Sequence, residues 1–275
     1  MTDPAFRTDL FRGAGQDYDR FRLAYPRQLV DDLVWRSGAD GAGRLLDLAC
    51  GTGQLAFAMR GRFAKILAAD QEPDMIRVVR AKARAAGAAE VSARVAAAED
   101  LSVPAGTLDL IAVGNAFHRL QRDAVAQRML RWLRPGGHVA LVWSDGPSAG
   151  DEPWQRALAA TMRRWRDRAE QAEGGGPRVP AGYDQARQDR PDAEVLTAAG
   201  FEPGGRFSFP AEHAWTVAAI TGYLLATSVL SRQALGALAA EFEADVHRVL
   251  APYAAGGTLR QVIDFGYELA RRPPG

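Results

Sequence analysis

Residues 45–56 read LLDLACGTGQLA, and this stretch sets how the rest of the chain is read. The apolar run Arg44–Ala49 fits a short buried strand. Asp47 stands near its carboxyl end and is followed by Ala49-Cys50-Gly51-Thr52-Gly53. Glycines at 51 and 53 allow tight backbone turns and put no side chain in the way of a ligand. In an open α/β sheet, ligands bind outside the carboxyl ends of the strands. A helix opening near Gly53 would aim its first N–H groups at the same place. Taken alone the loop is ambiguous. Gly51-x-Gly53-x-x-Ala56 also fits the relaxed dinucleotide fingerprint, which keeps a nicotinamide-dependent oxidoreductase as the alternative.

Working outward, the chain alternates strands and helices. Gly51 to Arg60 opens a helix, Ile66–Asp70 is a strand and Pro73–Ala86 a helix. Val91–Ala96 and Leu108–Gly114 are strands, 121–133 a helix, Pro135-Gly136-Gly137 a turn, and His138–Trp143 a strand. This alternation predicts an α/β fold: a doubly wound, mostly parallel seven-stranded sheet with helices on both faces. Upstream, residues 15–37 carry Phe21, Leu29 and Leu33 at helical spacing, and Pro26 suits a first helical turn. Downstream, Trp154, Leu158, Met162 and Trp165 mark a helix over 151–170. The Gly- and Pro-rich stretch 171–191 reads as a polar loop and a candidate mobile segment.

Asp192–Ala199 is a short helix that Gly200 could cap, and Phe207, Phe209 and Ala211 alternate along a strand toward Trp215. Thr216 caps a helix to about Leu230, and Leu235, Leu238, Phe242, Val246 and Leu250 mark another. Leu259, Ile263, Phe265, Tyr267 and Leu269 share one face of a last strand, opposite Arg260, Asp264 and Glu268. The expected organisation is an N-terminal helical cap (1–40) and a Rossmann-like cofactor-binding core (41–145). The remainder of the same domain (146–275) carries helical or loop insertions at 146–190 and 216–255 that form a substrate cap, with closing antiparallel strands.

Composition narrows the function. With 275 residues, 47% hydrophobic, 24% charged and a formal net charge of +1, the chain has no overall pull toward nucleic acid or acidic membrane. Lys65 and Lys82 are the only lysines; arginine supplies the rest of the positive charge. Cys50 is the only cysteine, which excludes an internal disulfide and argues against a cysteine-based zinc site, so no metal is expected. The start MTDPAFRTDLFRG lacks the apolar core of a signal peptide, and no apolar run reaches the ~20 residues of a membrane helix. A cytoplasmic monomer or homodimer acting on a small molecule, away from membrane and nucleic acid, is the expectation.

An ordered set of motifs then resembles the class I (Rossmann-like) S-adenosylmethionine-dependent methyltransferase family, small-molecule type. Asp47-x-Ala49-x-Gly51-x-Gly53 is similar to the family's D-x-G-x-G-x-G, with Ala49 at the first glycine. Asp70 in AADQEPDMI matches the second acidic residue, with Gln71 after it and Met75 in the following helix. Ala98-Glu99 matches the third motif, where many relatives carry Asp at the position of Ala97. NAFHRL (115–120) matches the fourth region, and RWLRPGGHVALVW (131–143) the helix–Pro-Gly-Gly–strand segment. Tyr18-x-x-x-Arg22-x-x-Tyr25-Pro26 looks like an element common in small-molecule members.

The resemblance implies S-adenosyl-L-methionine as cofactor. Asp47, Ala49, Gly51 and Gly53 would receive its methionine part, Asp70 the ribose hydroxyls, and Ala98 and Glu99 the adenine. Asn115 and Ala116 would lie beside the sulfonium, with Tyr18, Arg22 and Tyr25 closing over the cofactor. Arg22 suits its carboxylate. His118, just after the fourth strand, is the first candidate for a catalytic base and His213 the second; His138 and His247 read as structural or exposed. Trp143, Trp154, Trp165, Trp215 and Tyr223 are candidates for an aromatic substrate pocket. By analogy of shape, the chain is expected to methylate an oxygen or nitrogen of a small molecule as a tailoring enzyme of secondary metabolism such as antibiotic biosynthesis, the alternatives being a nicotinamide-dependent oxidoreductase or a cofactor-binding protein without methyl transfer.

Overall fold

The computed structural model describes residues 11–172, 179–180 and 183–275. Helices α1 (Gly15–Phe21) and α2 (Arg27–Ser37) precede an alternating run. That run is β1 (Arg44–Leu48), α3 (Gln54–Ala58), β2 (Lys65–Asp70), α4 (Pro73–Ala85), β3 (Val91–Val95), β4 (Leu108–Gly114), α5 (Arg122–Trp132) and β5 (Leu133–Ser144). Then come α6 (Pro153–Gln171), α7 (Tyr183–Asp189), α8 (Asp192–Ala198), β6 (Glu202–Trp215), α9 (Val217–Leu225), α10 (Arg232–Leu235), α11 (Ala239–Leu250) and β7 (Leu259–Arg271).

The strands form one seven-stranded sheet in the order β3-β2-β1-β4-β5-β7-β6. The first five are parallel, and β7 runs antiparallel to both β5 and β6. Parallel strands are covered on both faces, which is why β1 is an almost unbroken apolar run. Leu45 packs into a core with α2, α4, α6, α9 and α11, while Leu46 and Leu48 point into a second core with α5 and α8. Each fully buried leucine contributes roughly 1.5–3 kcal/mol of hydrophobic burial. β7 alternates as its sequence requires: Leu259, Ile263, Phe265, Tyr267 and Leu269 are buried, with Arg260 exposed on the other face. On that other face the Trp143 ring lies across Gly266, where any side chain would collide with it.

Several elements differ from their sequence expectation. Pro135-Gly136-Gly137 does not separate α5 from a strand; β5 already pairs at Leu133 with Leu108 and shifts register before Leu110 pairs with His138. Gly136, at φ +76°, supplies the irregularity. Pro26 precedes α2 in extended conformation rather than opening it. Thr216 does cap α9, accepting the Ala219 amide at 3.1 Å, but the helix stops at Leu225. Thr227 ends it: its hydroxyl donates to the Leu224 carbonyl and accepts from the Leu230 amide. The last helical stretch is broken at Gly236, φ +52°, into α10 and α11. Within 171–191, α7 replaces part of the expected loop, and residues 173–178 and 181–182 lie outside the described residues. Among the described residues, no helix is long and apolar enough to cross a membrane. None of their His, Cys, Asp and Glu side chains cluster so as to hold a metal ion.

Candidate active site

The strand order reverses between β1 and β4, and this topological switch point opens a crevice at the carboxyl ends of both strands. Asp47, Ala49 and Cys50 line it from β1, Gly114 and Asn115 from β4, Ser144 from β5, and Tyr18, Arg22 and Tyr25 from the N-terminal segment. The space enclosed between these residues is small, about 20 Å³.

The loop after β1 turns through Ala49 (φ +54°), Gly51 (φ +54°) and Gly53 (φ +81°). A Cβ on Gly51 would lie 3.0 Å from Cε1 of Tyr18, so the α1 ring rests directly on the loop. Asp70 ties this loop to the one after β2, accepting the Gly51 amide at 2.8 Å and the Glu72 amide at 2.9 Å. Burial raises the Asp70 carboxyl above its ordinary range, and the Glu72 and Gly51 amides oppose that shift. Asp47 is buried deeper and accepts the Ala56 amide at 2.9 Å. Burial pushes its carboxyl up to about 8; the Ala56 amide pulls down and the nearby Asp70 charge pushes further up. The sequence reading aimed the first N–H groups of this helix at a ligand; that of Ala56 is instead engaged by Asp47.

At the end of β4, Asn115 takes a left-handed φ of +51°, which asparagine tolerates better than most residues. Its amide nitrogen donates to Ser144 Oγ at 3.1 Å and Tyr25 Oη at 3.4 Å, and its oxygen accepts the Ser144 amide at 3.2 Å. Burial raises the Tyr25 phenol, keeping it protonated. Arg22 closes the opposite wall. Its guanidinium lies 5.1 Å from the ring centres of both Tyr18 and Tyr223 and donates to Tyr223 Oη at 2.9 Å. Among the described residues no carboxylate pairs with it; Tyr18, Tyr223 and Tyr25 are the groups that favour its charge.

Comparison with known proteins coincides with this geometry. Residues 45–137, from β1 into β5, match the family described as methyltransferase domain. This stretch, about a third of the chain, is similar to methyltransferase domains. It is 32% identical over 134 residues to an uncharacterised methyltransferase of Mycobacterium tuberculosis, covering 49% of this chain and 51% of that protein. It is 31% identical over 156 residues to the nocamycin O-methyltransferase of Saccharothrix syringae, covering 50% and 54%. The chain thus spans about half the length of the curated relatives it matches. A solved structure from Anaeromyxobacter dehalogenans, described as a type II methyltransferase, superposes with TM-score 0.62 at 23% identity over 93% of this chain and all of that one.

Other residues expected at the site are placed less centrally. Gln71 is exposed and lines an open groove with Glu72, Pro73 and Asp74, while Met75 is buried in the first turn of α4. Ala98 is buried in the second core, and Glu99 spends a carboxylate oxygen on the Gln121 amide at 3.0 Å, before α5. Ala116 packs against the second core beside Phe117. His118 sits in a short turn after β4, with its ring centre 6.0 Å from that of Tyr183 in α7. Burial, with Arg119, Arg187, Arg122 and Arg22 around it, pushes its imidazole down to about 3. It is neutral at pH 7, and adding a proton there is costly. His213 is not brought to the crevice: β6 is the outermost strand, two strands from β5, and its ring packs 4.3 Å from that of Trp215. Trp154, Trp165 and Trp215 are buried core, and Trp143 faces the other side of the sheet; of the five candidate aromatics, only Tyr223 reaches the crevice residues, through Arg22. Tyr223 as a partner of Arg22, and Ser144 as a partner of Asn115, were not readable as such from the sequence.

Proposed function

We propose that the protein transfers a methyl group from S-adenosyl-L-methionine to an oxygen or nitrogen of a small molecule. The observation that carries this reading is the partly buried Arg22 guanidinium, which among the described residues has no carboxylate partner and lines the crevice together with Asp47 and the glycine loop. A desolvated cation of this kind is complementary to a ligand carboxylate, which Arg binds bidentately. Asp47 carries the opposite charge when ionised and suits the ligand's ammonium. Asp70 has each oxygen fixed by one backbone amide and keeps further acceptor capacity for a ribose diol. Ala98 offers backbone groups to the adenine, and Asn115 with Tyr25 and Ser144 forms an uncharged polar wall beside the sulfonium.

The bound cofactor supplies an already activated methyl group. The residues of the chain position the acceptor in line and keep water out. His118, held neutral, acts as a hydrogen-bond acceptor that orients the substrate rather than as a strong base. The cap formed by α6–α7 and α9–α11 gives the substrate its pocket, and the similarity to an enzyme whose name specifies nocamycin O-methylation supports a tailoring role in secondary metabolism.

Calorimetric titration with S-adenosylmethionine, S-adenosylhomocysteine and NADH tests the reading. Saturable binding of both sulfur compounds, weakened in Asp70→Ala, with no heat from NADH, is the expected outcome. Binding of NADH alone would overturn it.

A further inference from the structure

Lys82 is one of two lysines in an arginine-rich chain. It stands in the last turn of α4, away from the residues lining the crevice. Its Nζ donates to Asp19 Oδ1 at 2.6 Å and to the Thr52 carbonyl at 3.0 Å, and lies 4.7 Å from the Phe57 ring centre. These partners come from three separate pieces. Asp19 is next to Tyr18 in α1, Thr52 lies between the two loop glycines, and Phe57 belongs to α3. An ammonium is compact and donates in three directions, so it can serve a carboxylate and a carbonyl at once, where the planar fork of arginine is larger and flatter.

The Thr52 carbonyl is part of the turn that places Gly51 and Gly53 at positive φ. Thr52 is fully buried, and its hydroxyl accepts from Gln54 Nε2 at 2.7 Å. The loop's shape is therefore fixed from one side by Gln54 and from the other by Lys82. Helix α1 touches the same loop through Tyr18 on Gly51, and α4 also holds the segment before α1, because the Gly13 amide donates to Asp74 Oδ2 at 2.7 Å. A partly exposed Lys–Asp pair by itself adds little stability. What sets this one apart is that the same ammonium holds the loop under the cofactor and the helix over it.

We propose that Lys82 is a positioning residue for the cofactor, coupling the shape of the Gly51–Gly53 loop to the closure of α1 so that the two form as one event. This rests on the cofactor reading given under Proposed function. Lys82 touches no ligand; it acts through Thr52, which orients the loop, and through Asp19, which keeps Tyr18 and Arg22 over it.

The test is a double-mutant cycle on the dissociation constant for S-adenosylhomocysteine, using the full chain, Lys82→Met, Asp19→Asn and the double variant, each checked for a cooperative thermal transition. Lys82→Met raises Kd about tenfold, Asp19→Asn about threefold, and the double variant binds no worse than Lys82→Met. Hydrogen exchange supplies a readout that a purely structural role would not move. The ligand slows exchange of the amides of α1 in the unmutated chain and no longer does so in Lys82→Met. A Kd unchanged within twofold in Lys82→Met while the unmutated chain binds, or losses that simply multiply, overturns the inference alone. Absence of binding by the unmutated chain overturns the cofactor reading and this inference with it.

Discussion

The Asp47 carboxylate accepts the Ala56 amide hydrogen at 2.9 Å and so ties the end of β1 to the first turns of α3. The bond is local, yet its cost depends on pH, because burial raises the Asp47 carboxyl to about 8. A folded-state value above the unfolded one means that the stability from the protonated group is complete below the ordinary carboxylate range. It is lost as pH rises from there to about 8, at up to roughly 1.4 kcal/mol per pH unit. Asn at this position keeps an acceptor oxygen and never ionises. Asp47→Asn is therefore expected to gain in Tm over the unmutated chain as pH goes from 4 to 8, with little difference near pH 3.5. Parallel Tm curves across that range would contradict the assignment.

Ala49 occupies the left-handed region at φ +54°, where the family pattern has glycine. A Cβ there is sterically costly, and glycine removes the cost while adding freedom to the unfolded chain. Ala49→Gly should stabilise the protein by about 0.5–1 kcal/mol in urea unfolding. A loss of stability would show that the surroundings of the Ala49 methyl outweigh the backbone strain.

Gly51 shares the same φ but has Tyr18 against it. Gly51→Ala must strain the turn and displace the ring together, so the Kd for S-adenosylhomocysteine should rise at least tenfold, by about 1.4 kcal/mol. Tight binding by this variant would mean that Tyr18 does not cover the bound cofactor.

Gly266 does not line the crevice, although it pairs with Trp143, the neighbour of Ser144. A methyl there collides with the Trp143 ring and crowds the Phe207 carbonyl. Gly266→Ala should cost about 1–3 kcal/mol of stability by overpacking, and leave the cofactor Kd of the folded protein unchanged. A shift in Kd would reveal coupling between the β5–β7 face and the site.

The glycine loop, Asp70 and Asn115 were legible in the sequence because each lies at a strand end and its geometry is set by near neighbours. The alternation of β1 to β5 and the apolar face of β7 were legible for the same reason. The Arg22–Tyr223 contact was not: it joins residues 201 positions apart, and nothing in the local pattern of α9 marks Tyr223 as different from its buried neighbours. Pro135-Gly136-Gly137 carries turn chemistry that the sheet overrides, since Leu133 already pairs with Leu108. Leu235 and Leu238 keep the helical spacing of Phe242, Val246 and Leu250, and the positive φ of Gly236 between them splits the helix. His118 was picked for its place in the chain, while Arg22 and Arg187, which join the neighbouring Arg119 and Arg122 around it, are brought there by tertiary packing.

Arg22 is proposed above to recognise the carboxylate of the cofactor's amino-acid part. The most direct measurement compares the affinities of S-adenosylhomocysteine and 5′-methylthioadenosine, which lacks that part, in the unmutated chain and in Arg22→Met. The unmutated chain is expected to bind S-adenosylhomocysteine at least tenfold more tightly, and Arg22→Met to lose this preference while binding methylthioadenosine as before. An undiminished preference in Arg22→Met would contradict it.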